Sequence, residues 1–512
     1  MQRVAALADL APDRLTPVEI DGASVVLIRT EDGVLAFGGE CPHAGAALAE
    51  GALCDGHIIC PWHKATFAVS DGRLLEPPAL RGLERYDVEL QGDEVWVAAR
   101  PAPVQVAAQA PGVPTMDMIA LVVGGGAAGA AGVAALREFG YCGRIILVAR
   151  EPGLPYDRTS LSKFVLSGDM KVEDIPPLLE ADFFARHAVE PITAEIVRLD
   201  AAQRVAHLDN GTAMHYTMAL ATPGATAKRL HLDGADLQNI FTLRSAADAA
   251  SICADLQAGT RVVIVGSSFI GLEVASSLRA RDLAVTIIAQ EEIPFLRQFG
   301  SAIGQMFKAL HEENGVRFVS KSPLARFEGD GGKVRSAVLE DGAVLPADLV
   351  IIGVGVQPAT DFLQGVDRTE DGGIKVDRGM RAAEGLYVAG DAASFPFGET
   401  LLRIEHWRVA QQHARVAARN MLGETAEYDA VPFFWTYHYG RRFEYLGHAS
   451  EWDEVVVDGS LAAQNFLAFL VSGGMVAAVV ACQRERDTAR LADRMRHPLA
   501  VDEARRLITD RS

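Results

Sequence analysis

Twice in this 512-residue chain an apolar run ends in a glycine cluster that opens a helical pattern, and that repeat limits the fold more than any other feature. The first reads Met118-Ile119-Ala120-Leu121-Val122-Val123, then Gly124-Gly125-Gly126-Ala127-Ala128-Gly129, then a helical stretch to Phe139. The second reads Arg261-Val262-Val263-Ile264-Val265, then Gly266-Ser267-Ser268-Phe269-Ile270-Gly271, then a helix containing Glu273. Strand, glycine turn and helix in that order make a dinucleotide-binding βαβ unit. Gly124 permits the tight turn, Gly126 lets a pyrophosphate approach the backbone, and Gly129 allows the helix to pack closely on the strand. Glu151 follows the next strand, Ile145 to Val148, about 20 residues past the turn, where an acid binds a ribose hydroxyl. In the second unit Gly266 and Gly271 keep the outer positions, and Ser268 replaces the middle glycine. Ala289 ends the strand Val285 to Ile288 where an acid is usual, so Glu291 or Glu292 is the candidate substitute. Neither has the flanking Arg that a 2′-phosphate needs, which points to NADH. Two such units imply two bound nucleotides.

A chain of this length exceeds one hydrophobic core and is expected to form several domains. Its composition, 49% hydrophobic and 22% charged, is that of an ordinary globular protein. The net charge of −19 excludes a nucleic-acid binder, which would need clustered Lys and Arg. Met1 to Asp9 carries neither a secretory nor a twin-Arg signal. The run Met118 to Leu136 is long enough for a membrane helix, but its glycines and order fit the nucleotide fold, so a cytoplasmic chain without a membrane span is expected. Of six cysteines, Cys54, Cys142, Cys253 and Cys482 are scattered and read as small buried hydrophobes.

The other two fall in a pattern of their own: Cys41-Pro42-His43 and Cys60-Pro61-Trp62-His63. Two thiolates and two imidazoles at these spacings can hold a [2Fe–2S] cluster, one pair on each iron. The alternatives are a structural zinc on the same four residues or unrelated core cysteines. Around this pattern, residues 1–100 read as short strands such as Val25 to Ile28 and Val95 to Val97, separated by Asp-Gly turns. Proline-rich residues 101–116 read as a linker.

The doubled Cys-Pro loops resemble Rieske ferredoxins. That resemblance implies ligands Cys41, His43, Cys60 and His63. It also places Ala65 and Phe67 where high-potential Rieske proteins have hydroxyl-bearing residues, which implies a low potential. Lys64 stands where Gly is usual and is expected to be a solvated loop residue.

Downstream, Pro155-Tyr156-Asp157-Arg158-Thr159-Ser160-Leu161-Ser162-Lys163 is similar to a signature of FAD-dependent ferredoxin reductases and apoptosis-inducing factors, with Thr159 replacing a Pro. The resemblance implies FAD in the first nucleotide unit, NAD(P)H in the second, and Arg158 and Lys163 as flavin contacts. Glu273 is implied to pair with Lys163 near the flavin. Ala221-Thr222-Pro223-Gly224 matches a motif ahead of the NAD(P) unit and carries over Thr222 and Gly224. Ile351 to Pro358, with Gly355, matches the segment returning to the FAD domain. Gly385 to Asp391 matches the second FAD motif and carries over Gly390 and Asp391. Glu405, His406 and Trp435 are implied to lie around the flavin and nicotinamide. No Cys-x4-Cys pair follows the first glycine motif, so disulfide chemistry is not expected.

The fold expected is therefore multidomain. An N-terminal all-β Rieske domain (1–100) and a linker (101–116) precede a double-Rossmann α/β reductase: FAD-binding 117–242 and 346–424, NAD(P)-binding 243–345. A C-terminal α+β domain (425–512) closes the chain. The resemblance, closest to the Rieske-bearing apoptosis-inducing-factor-like arrangement, implies an enzyme that passes electrons from NAD(P)H through FAD to its own [2Fe–2S] cluster and on to an acceptor protein or small molecule. Lys163, Glu273 and Trp435 are the catalytic candidates. An NAD(P)H oxidase or quinone reductase, and a slow-turnover redox-sensing interaction protein, are the alternatives.

Overall fold

The computed structural model describes residues 1–12, 14–102 and 118–509, so most of the expected linker lies outside the described residues. The N-terminal part is all β, in small antiparallel sheets. Strands Thr16–Ile20 and Ala23–Thr30 are joined at Asp21-Gly22, both with positive φ, as a two-residue hairpin turn requires. A second sheet, built from Ala52–Cys54, His57–Ile59, Thr66–Ala68 and Leu74–Glu76, carries the second Cys-His loop between its middle strands. Phe37, Ile58, Phe67 and both Cys41 and Cys60 pack in one apolar cluster beneath the loops.

The first glycine unit forms as the sequence dictates. Ile119–Val123 lies between Arg144–Ala149 and Met218–Ala221 in a parallel sheet, so the glycine turn sits at a point where the chain leaves to opposite sides. Leu386–Val388 joins the same sheet after the second unit has been completed. A Cβ on Gly124, whose φ is +106°, would stand 2.2 Å from the Thr222 carbonyl oxygen, and one on Gly129 would stand 1.9 Å from that of Gly124. The apolar run once long enough to cross a membrane is thus strand, turn and the helix Ala127–Glu138. No helix among the described residues is long and apolar enough for a membrane span.

The second unit is a five-stranded parallel sheet in the order 240–241, 349–352, 261–265, 284–289, 317–320. Its helices share an apolar cluster with the C-terminal part, where Phe299 and Phe307 meet Tyr445 and Phe443. That C-terminal part is a five-stranded antiparallel sheet followed by helices Glu485–Arg494 and Val501–Thr509, an α+β arrangement.

The helix Trp407–Met421 departs from a simple amphipathic helix. Its polar residues Arg408, Gln412 and Arg415 are buried as fully as its apolar ones. They face the N-terminal domain: Arg408 pairs with Glu76 and donates to the carbonyls of Pro77 at 2.8 Å and Lys64 at 2.9 Å.

Candidate functional site

The two Cys-His loops are built alike. In each, the Cys amide donates to a carbonyl five residues on, Ala46 or Ala65, and the Cys carbonyl accepts from the fourth residue on, Gly45 or Lys64. That fourth residue is left-handed in both loops, with φ +74° at Gly45 and +61° at Lys64. The fold brings all four expected ligands together as two pairs. The Cys41 and Cys60 thiols hydrogen-bond to each other, and the His43 and His63 Nδ1 atoms face each other at 3.0 Å. The hydrogen bond shared with Cys60, then burial, pushes the Cys41 thiol up. Burial would also raise Cys60, but the bond from Cys41 and the His63 and Trp62 amides outweigh it and bring Cys60 below the usual thiol value, toward the thiolate form that binds metal. Burial lowers both imidazoles, His63 strongly, so both are neutral as ligands must be. Two thiols and two imidazoles set as two pairs fit a two-iron cluster divided two and two. Ala65 and Phe67 are fully buried beside the loop and bring no hydroxyl to it.

Lys64 corrects the expectation of a solvated residue. Its side chain is fully buried, and Nζ lies 2.9 Å from Glu444 Oε1 in the C-terminal sheet. Burial lowers the ammonium and raises the carboxyl, and each is offset by the other's charge.

A cavity of about 760 Å³ runs along the first nucleotide unit, within the range of cofactor sites. Gly124, Gly126, Thr222, Gly224, Gly390, Asp391, Glu151 and Arg158 line it. Around Gly126 an added Cβ would meet nothing within 4 Å, so the backbone there is open to a ligand. Glu151 is engaged by Arg158 and by the Tyr156 hydroxyl at 2.6 Å. Burial and that hydrogen bond push Tyr156 up to about 12. Asp391 is held through Oδ2 by Arg244 at 2.7 Å.

Lys163, Glu273 and Trp435 also line the wall. Lys163 Nζ lies 3.1 Å from Glu273 Oε2, with both side chains buried. Ser162 also donates to Oε2, while Oε1 accepts from Thr436 at 2.9 Å and the Tyr437 amide at 2.8 Å. This carboxylate is therefore fixed by four donors and is no solvated helix acid. Trp435 has its indole 4.2 Å, centroid to centroid, from the ring of His63. One side chain therefore belongs to the cavity wall and also touches a cluster-ligand candidate.

Not every expected residue reaches the cavity. Glu405 lines it, but His406 does not: its ring stacks on Phe434 at 5.1 Å, and Phe434 forms the wall. Trp407 stands there instead, with a buried indole N–H that has no protein partner. Sequence reasoning passed over Trp407, and the start of its helix is the signal that could have found it. Gly266, Gly271 and Gly355 lie apart from this cavity in the second unit. There Arg297 pairs with Glu291 at 2.9 Å. The open backbone at Gly126, the fixed acids and the free indole donor fit a dinucleotide such as FAD, and the paired Cys and His fit a [2Fe–2S] cluster.

Comparison with known families agrees with this geometry. The family described as pyridine nucleotide-disulphide oxidoreductase matches residues 119–414, the Rieske [2Fe-2S] domain matches 1–87, and the reductase C-terminal domain matches 433–510. Human apoptosis-inducing factor 3 is 33% identical over 502 residues, covering 95% of this chain and 82% of that protein. The benzene 1,2-dioxygenase system ferredoxin–NAD(+) reductase subunit of Pseudomonas putida is 33% identical over 389 residues, 75% of this chain and 94% of its own length. Among solved structures, the covalent putidaredoxin reductase–putidaredoxin complex aligns with a TM-score of 0.71 at 27% identity, covering 77% of this chain and 96% of that one. The ferredoxin reductase for the CYP199A2 system of Rhodopseudomonas palustris aligns with a TM-score of 0.69 at 29% identity, covering 72% and 92%.

Proposed function

This chain belongs to the pyridine nucleotide-disulphide oxidoreductase family and carries a Rieske [2Fe-2S] domain ahead of the reductase, and from that premise we propose that it passes electrons from NAD(P)H through FAD to its own cluster and then to an acceptor. The observation that carries this reading is the 4.2 Å contact between Trp435, in the cavity wall, and His63. FAD supplies the conversion of a two-electron hydride donor into single electrons that a [2Fe–2S] centre can take.

The chain's own residues do the rest. Gly124 and Gly126 bring the backbone against a pyrophosphate, and Glu151 and Asp391 supply carboxylate oxygens to sugar and ribityl hydroxyls. Lys163 puts a positive charge in the cavity wall 5.9 Å from the Trp435 ring, and Glu273 fixes where it stands. An ammonium held beside a ring that gains negative charge stabilises it without reorganising at the moment of reaction. Trp435 and Phe434 would shield that part of the wall from water. Cys41 and Cys60 would hold one iron and His43 and His63 the other, and His63 is the ligand candidate that touches Trp435.

Anaerobic stopped-flow mixing of the fully loaded chain with NADH or NADPH tests the reading. Flavin bleaching followed by cluster reduction, at a rate independent of protein concentration, is expected. A bleached flavin beside a cluster that stays oxidised would refute the intramolecular route, and a long-lived charge-transfer band with no onward transfer would favour the sensor.

A further inference from the structure

We propose that the Rieske domain is a captive partner, held on the reductase in one register by the buried Lys64–Glu444 pair, so that the wall beside Trp435 is closed to any separate ferredoxin. The inference rests on the electron route above and adds which residues enforce it.

Three contacts across the domain boundary carry it. Lys64 follows ligand His63 directly. Its left-handed backbone, unusual for a residue with a side chain, accompanies an ammonium that leaves its own domain. Nζ is held by Glu444 and by the carbonyl of Pro61, and Glu444 is held on its other oxygen by Thr488. The second contact is Glu76, which receives Arg408, Gln412 at 2.6 Å and Arg496. Arg408 also donates to the Lys64 carbonyl at 2.9 Å, so the two ionic contacts meet at one residue. The third is apolar: Ala52 and Ile59 of the Rieske domain pack against Ala489 of the C-terminal helix.

A reductase that serves a separate ferredoxin must leave the wall beside its transfer site open to solvent. Here His63 covers Trp435 and is itself buried. Buried ion pairs add little net attraction, because both charges surrender their hydration. What they add is register, since a half-made pair strands one charge in the interior while a complete pair, or none, is tolerated. Lys64 and Glu444 are thus positioning residues for the transfer to His63, and neither lines the nucleotide cavity.

The test uses the full holo chain as wild type, Lys64→Met, Glu444→Gln and the double variant Lys64→Met/Glu444→Met. Two quantities are read: the single-turnover rate of cluster reduction after flavin reduction, and the radius of gyration from small-angle X-ray scattering. Each single variant is expected to slow cluster reduction about ten-fold or more and to enlarge the radius, with flavin reduction by NAD(P)H unchanged. The double variant, with no stranded charge, is expected to regain the compact radius but not the wild-type rate, because nothing then fixes the register. Should Lys64→Met fail to retain its cluster, Glu444→Gln decides, because it alters no atom of the Rieske domain. Single variants with wild-type rate and radius, or a double variant that transfers at the wild-type rate, would overturn the clamp. If the wild-type cluster takes no electron at all, the electron route fails, and the radii alone still decide the clamp.

Discussion

Gly126 and Gly129 sit three residues apart in one motif, yet the structure gives them opposite reasons to be glycine, and alanine at each should fail differently. A Cβ at Gly129 would lie 1.9 Å from the Gly124 carbonyl oxygen. Reaching ordinary contact would move the helix off the strand by on the order of 1.5 Å. The obstacle is backbone, so the cost belongs at the upper end of the usual overpacking range, about 3 kcal/mol. Alanine's better helix propensity returns up to ~1 kcal/mol, leaving roughly 2 kcal/mol of lost stability before any cofactor binds. At Gly126, with φ −93° and ψ −163°, alanine is conformationally ordinary and meets no protein atom within 4 Å. The apo chain should be as stable as wild type, or gain about 0.4–1 kcal/mol through a less flexible unfolded state. The methyl would instead occupy the face a pyrophosphate approaches, so FAD affinity should fall at least ten-fold, about 1.4 kcal/mol. Urea unfolding of the cofactor-stripped proteins and FAD titration by fluorescence quenching separate the two effects. A Gly126→Ala protein that binds FAD with wild-type affinity, or one destabilised as much as Gly129→Ala, would refute the assignment of the cavity to FAD.

Further outcomes follow from the same geometry. With Ala65 and Phe67 supplying no hydroxyl to the cluster sulfurs, a redox titration should place the Rieske centre in the lower part of its class, near about −150 mV; a potential typical of cytochrome complexes would contradict this. Glu273→Gln strands the buried Lys163 ammonium and should cost about 3–5 kcal/mol, seen as a lowered melting temperature of the FAD-loaded chain, and unchanged melting would show that the pair is dispensable. Asp348 is held down to about 2, first by its hydrogen bond from Arg261. A folded pKa below the unfolded carboxylate value means that its contribution is present at neutral pH and is lost as pH falls from about 4 through about 2. The stability gap between wild type and Asp348→Asn should therefore close over that window, and a gap that persists at pH 2 would count against the pairing.

The parts of this molecule legible in its sequence are those whose cause is local. Gly124, Gly126 and Gly129 serve a turn, a face and a close contact within a few residues of themselves, so their spacing alone names the fold. The Cys-His loops are legible for the same reason, since each closes on its own backbone. Lys64 is the opposite case. Nothing near it in the chain shows that its ammonium meets Glu444 or that its carbonyl meets Arg408, because both partners arrive from more than 300 residues away. An exposed lysine was the sound expectation from local context, and it failed because a second domain covers the loop. The helix Trp407–Met421 repeats the point: Arg408, Gln412 and Arg415, polar residues that local pattern would leave in solvent, form the seat of another domain. His406 was expected at the flavin and Trp407 passed over, because only the stack on Phe434 decides which ring turns away from the cavity. The residues that sequence misplaces here lie mostly at contacts between domains, where polar side chains lose water to one another. Such contacts decide where an electron can go, so the boundary that is hardest to read from sequence is also the one that separates a self-contained electron chain from a reductase open to passing ferredoxins.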